Sequence, residues 1–184
     1  MRTWLVMAAL ACVVACGKED AREEPRCGPD PFEPDDEGAP LRLETIEDDP
    51  FGSNTRPQSV SVVRTIHGED DVDYFTIDVK DTGIGGNPKV EVLTPSGFEA
   101  TVTAQCTSGR FESLRCLRGI DASPSKNVAS CTSDRPPDPD LAAIAQLEVE
   151  CAGTSSDDIR LSVVVRRLTP SPECAPYRLT ISAD

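Results

Sequence analysis

Only one histidine, His67, occurs among the 184 residues. This limits the chemistry at once. A serine or cysteine nucleophile of the triad kind needs a histidine base, and a His-Glu-x-x-His zinc site needs two histidines. His67 stands in Ile66-His67-Gly68-Glu69, at the end of an apolar alternation and before a turn, where the expectation is a solvated loop residue. No Gly-x-Ser-x-Gly elbow is present. Gly83-Ile84-Gly85-Gly86-Asn87 has the glycines of a dinucleotide loop but not its strand-to-helix setting, and reads as a hairpin turn. Carboxylates are plentiful, and a glycosidase needs only two. With 32 acids in the chain, a pair at the right distance arises by chance, and aromatics at 4% leave little to line a sugar cleft. The expectation is a non-catalytic protein. The enzymatic alternative is a small envelope hydrolase working through carboxylates.

The N-terminus speaks to location. Arg2 precedes an apolar run from Trp4 to Ala15 that stops at Gly17-Lys18-Glu19-Asp20. A basic start, a short apolar stretch and small residues at its end make an export signal. The run is shorter than the roughly 20 residues a spanning helix requires. Its ending, Val13-Val14-Ala15-Cys16, resembles a bacterial lipobox, with Val at the position where Leu is commoner. The resemblance implies removal of residues 1–15 and lipidation of Cys16. Several acyl chains on one cysteine anchor far more firmly than one. Gly17 follows the cysteine, not the aspartate that marks inner-membrane retention in Gram-negative systems, so the resemblance implies the outer membrane of a two-membrane envelope.

Charge narrows the partners. The formal net charge is −14, from 18 basic and 32 acidic residues. Nucleic acid is excluded, because no basic footprint exists to displace its counterions. Anionic lipid would repel the chain, so membrane attachment must go through the anchor. An extracellular protein or polymer remains as a partner class.

Of eight cysteines, Cys12 leaves with the signal and Cys16 carries lipid. Six remain: Cys27, Cys106, Cys116, Cys131, Cys151 and Cys174. No two stand close enough for a zinc-chelating pair. An even set in an exported chain implies three disulfides, with 15 connectivities open. The favoured set joins Cys106 to Cys116 across a short excursion after a strand, Cys27 to Cys174, and Cys131 to Cys151.

These groups must be positioned by strands. Phe75, Ile77 and Val79 alternate with polar residues, and so do Ala145 to Cys151 and Tyr177 to Ile181, while Leu161, Val163 and Val165 alternate with Ser162, Val164 and Arg166. Each reads as a strand with one buried face. Val60–Ile66, Lys89–Thr94 and Glu99–Cys106 are weaker strands of the same kind, separated by turns such as Pro95-Ser96-Gly97. Sixteen prolines and twelve glycines disfavour long helices. The fold expectation is all-β: an antiparallel, jelly-roll-like β-sandwich stapled by disulfides. Residues 123–140, with four prolines, are expected to form a long surface loop, and 139–146 at most a short helical turn. The organisation is then a signal at 1–15, an acidic proline-rich stalk at 16–40 and one domain at 41–184.

Three segments resemble one family. Phe32-Glu33-Pro34-Asp35-Asp36 comes first, Asp70-Asp71-Val72-Asp73-Tyr74-Phe75-Thr76-Ile77 follows, and Tyr177-Arg178-Leu179-Thr180-Ile181 closes the chain. Their order and spacing look like the bacterial pre-peptidase C-terminal domain, with its Glu-Pro-Asn-Asp opening, Asp-x-Asp-Tyr strand and Tyr-x-Leu-x-Ile ending. Asp35 stands where the family has Asn, and the cysteine-bearing stretch from 106 to 151 is outside its usual pattern. The resemblance implies a compact β-sandwich and an accessory role beside secreted peptidases, here expected as a stand-alone module. It also implies calcium, by position on Glu33, Asp35, Asp36, Asp70 and Asp73. Pro31 stands where calcium-binding relatives carry a further acid.

Overall fold

The computed structural model describes residues 35–48, 58–68, 70–81, 88–107, 110–123, 128–136, 138, 140–152, 158–169 and 173–183. They form strands β1 (Leu41–Arg42), β2 (Ile46–Asp48), β3 (Ser59–Ile66), β4 (Val72–Asp81), β5 (Lys89–Thr94) and β6 (Phe98–Cys106). Then come β7 (Phe111–Arg118), β8 (Ile120–Asp121), β9 (Ala129–Thr132), β10 (Ala143–Cys151), β11 (Ile159–Arg167) and β12 (Ala175–Ala183). No helix occurs among the described residues.

The strands make two packed sheets, as the alternation implies. The first runs β1-β4-β11-β6-β9-β8, with β2 also on β4, and the second runs β3-β12-β5-β10-β7. All pairings are antiparallel except those of β1 and β2, which lie parallel to β4 at the edge of the first sheet. Period two puts every second side chain on the inner face. Ile159, Leu161, Val163 and Val165 are fully buried on β11, and Leu179 and Ile181 face them from β12.

The stretch expected as one surface loop departs from that reading. Residues 129–132 form β9, which pairs with β6, and Ala129, Ser130 and Cys131 are buried. Leu141 N donates to Asp138 O at 3.1 Å, and β10 begins at Ala143. Ahead of β1, Asp35 is buried and its carbonyl accepts a hydrogen bond from the Tyr74 amide at 2.9 Å.

The disulfides correct the expected pairing. Cys106 joins Cys151 and Cys116 joins Cys131, with Cα–Cα distances of 5.8 and 5.5 Å. Both bridges run between the sheets, since β6 and β9 belong to the first and β10 and β7 to the second. Stacked sheets ordinarily lie about 10 Å apart, too far for a disulfide. The small residues Ala100, Ala104, Ala143 and Ala145 on the inner faces of β6 and β10 let the sheets approach here. The expected Cys106–Cys116 closure fails because Cys151 meets Cys106 at the end of β10, whereas Cys116 lies opposite Leu147, four residues away on that strand. Cys174 is disulfide-bonded, and the expected Cys27–Cys174 pairing and Cys16 involve residues outside the described ones.

Candidate functional site

One end of the sandwich collects the residues singled out by type and motif. The chain arrives there in a turn. Asp36 Oδ1 accepts hydrogen bonds from the amides of Gly38 at 2.8 Å and Ala39 at 2.9 Å. An aspartate that bonds the backbone two or three residues on fixes such a turn locally. Beyond it Leu43 N donates to Thr76 O at 2.8 Å, and β1 and β2 run along β4.

Asp73 occupies the first inner-face position of β4, ahead of Phe75, Ile77 and Val79 on the same face. The alternation therefore carries a carboxylate into the core, where it needs a partner. Tyr177, from β12 in the opposite sheet, donates its hydroxyl to Asp73 Oδ2. The Tyr177 ring also stacks at a tilt on Phe98, with centroids 5.1 Å apart. Burial raises the Tyr177 phenol well above its ordinary range, and the charge of Asp73, its hydrogen bond and the charge of Asp35 push the same way. Arg64, opposite Tyr177 in the β3–β12 pairing, opposes the shift. The three motif segments, remote in sequence, thus meet here.

Beside this clamp lies a second constellation. Glu99 is buried at the start of β6, opposite Arg166 of β11. Its Oε1 accepts from Arg166 Nε at 2.8 Å and Nη2 at 2.5 Å, and its Oε2 from Arg135 Nη2 at 2.9 Å. Burial alone would raise the Glu99 carboxyl, but hydrogen bonds from Arg135 and Arg166 outweigh it and hold the group below its ordinary value. A shallow depression of about 430 Å³ opens between these arginines and Asp70, Asp71 and Val72. Sequence reasoning missed this cluster. Arg135 comes from a connection without periodicity, and Glu99 meets Arg166 only through strand register.

The proposed calcium ligands separate in position. Glu33 lies outside the described residues. Asp35 and Asp73 are both buried and both act on Tyr177. Asp36 is exposed and turned onto its own loop, and Asp70 is exposed beside the arginine depression. Among the described residues no group of three or more His, Cys, Asp or Glu is arranged to hold a metal. The four described ligands do not fit one calcium shell, which takes six to eight oxygens. His67 uses its backbone amide to hold Asp71 Oδ2 at 2.5 Å, while its ring Nε2 is buried with no hydrogen-bond partner.

No family model matches the chain. No curated protein matches it either. Among solved structures it is similar to one described as "CorA is a surface-associated copper-binding protein important in Methylomicrobium album BG8 copper acquisition". The identity is 9%, over 77% of this chain and 100% of that one. The TM-score is 0.32, and at that value the likeness carries no argument about metal or role.

Proposed function

We propose that the chain is a non-catalytic, lipid-anchored envelope lipoprotein whose β-sandwich is a binding or accessory module of the pre-peptidase C-terminal kind. The observation that supports it best is the meeting of the three motif segments. Asp35 holds the Tyr74 backbone, and Asp73 holds Tyr177 across the two sheets. Segments that the resemblance groups as motifs of one family, far apart in the chain, are in contact here. The Val13-Val14-Ala15-Cys16 ending supplies the anchor, and the outer membrane is its proposed home. The module displays an acidic surface beyond the anchor, suited to an extracellular protein or polymer.

A partnership with secreted peptidases is the more specific form of this reading, resting on the family's usual place beside them. Detergent extraction of tagged, lipidated protein, followed by co-purification, tests it. Recovery of one peptidase in stoichiometric amount supports the partnership. Binding to extracellular polymer without a peptidase supports the adhesive form. Substrate turnover abolished by a single carboxylate substitution would overturn the non-catalytic reading.

A further inference from the structure

The hollow beside Glu99 is lined by both signs of charge, and they do not meet across it. Strand order places them. β4, β11 and β6 lie side by side, with Val72 opposite Arg166 and Arg166 opposite Glu99. Asp70 and Asp71 enter the hollow just ahead of β4, Arg166 and Arg167 close β11, and Arg135 reaches over β6 to Glu99. The aspartates and Arg135 therefore hold opposite flanks, two strand spacings or about 10 Å apart. Among the described residues no hydrogen bond or ion pair joins Arg135, Arg166 or Arg167 to Asp70 or Asp71.

Each flank has capacity left over. Three guanidiniums stand against the one carboxylate of Glu99, so the arginine flank carries two positive charges in excess. A guanidinium has five N–H donors. Arg166 spends Nε and Nη2 on Glu99, Arg135 spends Nη2 on it, and Arg167 gives Nη1 to the Glu173 carbonyl. Nη1 of Arg135 and Arg166 and Nη2 of Arg167 remain, on side chains already held in place. On the acid flank the Asp70 carboxylate bonds no described residue, and Asp71 is engaged through Oδ2 alone, by the His67 amide. Val72 and Leu168 add apolar surface to the same hollow. Its volume of about 430 Å³ falls within the range of small-ligand clefts, about 300–1,000 Å³.

We infer that this hollow binds the C-terminal lysine of another polypeptide. The selection is local and two-sided. A carboxylate meets the arginine flank, where charge-assisted and forked hydrogen bonds are strongest. The ε-ammonium meets Asp70 and Asp71, and the methylene stem between them lies on Val72 and Leu168, as lysine stems do on apolar surface. A ligand with one charge leaves one flank unanswered. Free lysine fits less well, because its α-ammonium would stand among three guanidiniums. Peptide hydrolysis on the C-terminal side of lysine is the class of reaction that makes such an end. The inference deepens the reading of the domain as a non-catalytic binding module and rests on that reading for its role.

The test uses the full lipidated chain in detergent micelles, titrated with 6-aminohexanoic acid and with an acetylated Ala-Ala-Lys peptide, and read by amide chemical shifts. Both probes should bind saturably and move the amides of Asp71, Val72, Arg166 and Arg167. Hexanoic acid and hexylamine, each lacking one charge, should bind at least about tenfold more weakly, and so should the peptide as its C-terminal amide. These comparisons do not depend on the folding of any variant. Asp70→Asn should remove the advantage of 6-aminohexanoic acid over hexanoic acid, and Arg167→Gln its advantage over hexylamine. Absence of saturable binding, or binding of the amide equal to that of the acid, overturns the inference. So does hexanoic acid or hexylamine binding as tightly as 6-aminohexanoic acid. Free lysine binding more tightly than the peptide overturns the polypeptide as occupant and assigns the hollow to the amino acid. The reading of the domain as a binding module is checked apart from this, since co-purification can succeed with the hollow empty, and substrate turnover would remove that reading whatever the probes do.

Discussion

Tyr177 and Asp73 form a buried polar pair between the two sheets. Tyr177→Phe keeps the ring against Phe98 but strands the carboxylate without its donor. An unsatisfied buried partner of this kind costs about 1–3 kcal/mol, so a urea titration should show a lower midpoint at an unchanged slope. The pair also sets an alkaline limit. The folded phenol is raised above its ordinary value of 10.0, so only the unfolded chain releases this proton readily. Its contribution to stability is complete below about pH 10 and is lost progressively above it. In Tyr177→Phe the alkaline limb of the stability curve should flatten. Glu99 works in the opposite direction. Its folded carboxyl sits below the ordinary 4.5, so its contribution is present above that value and is lost as pH falls through the depressed one. Glu99→Gln should flatten the acid limb and cost about 1–2 kcal/mol at neutral pH, a range kept low because both arginines reach solvent. The same acids offer a test for calcium. An ion at Asp73 must compete with the Tyr177 hydroxyl, so calcium and magnesium should shift the melting temperature equally. A calcium-specific rise lost in Asp73→Ala and Asp36→Ala would restore the ligand set.

Between β7 and β8 the chain passes from one sheet to the other at Gly119, and the passage needs glycine. Its φ is +113°, and a Cβ there would stand 2.4 Å from Thr132 O and 3.1 Å from Cys131 Sγ. Gly97, in the β5–β6 turn, has φ +87° but open space around the Cβ position. Gly97→Ala should therefore cost only the conformational strain, about 1 kcal/mol. Gly119→Ala adds a collision with backbone and should cost about 3 kcal/mol or more, read as the larger fall in melting temperature. The two staples act on the same crossing region. Non-reducing peptide mapping should recover Cys106 with Cys151 and Cys116 with Cys131. By chain entropy alone, the 45-residue separation of the first predicts about 4 kcal/mol and the 15-residue separation of the second about 3 kcal/mol. Loss of the first bridge should be the more damaging.

Cys16→Ala should move the protein from the membrane fraction to the soluble one, and mass spectrometry of the unaltered chain should find acyl groups on Cys16. An unmodified N-terminus at another residue would remove the anchor from the account. Net charge bears on the same question, since an unanchored chain of charge −14 has little affinity for anionic lipid.

The central strands were legible because burial on one face writes a period of two into the sequence. Leu161, Val163 and Val165 announce β11, and Tyr177, Leu179 and Ile181 announce β12. β7 and β9 were not legible. β7 is an edge strand whose Glu112, Arg115 and Arg118 blur any alternation, and β9 is four small residues, three of them buried by their neighbours. At the site, Asp73 and Tyr177 could be picked out by motif, but their contact could not, because it joins facing sheets. The Glu99–Arg166 pair depends on the register of β6 against β11, and Arg135 on where a nonperiodic segment comes to rest. The disulfide pairing has the same origin. Local periodicity fixes which face of a strand is apolar, whereas which cysteine lies opposite which is decided by how the two sheets stack.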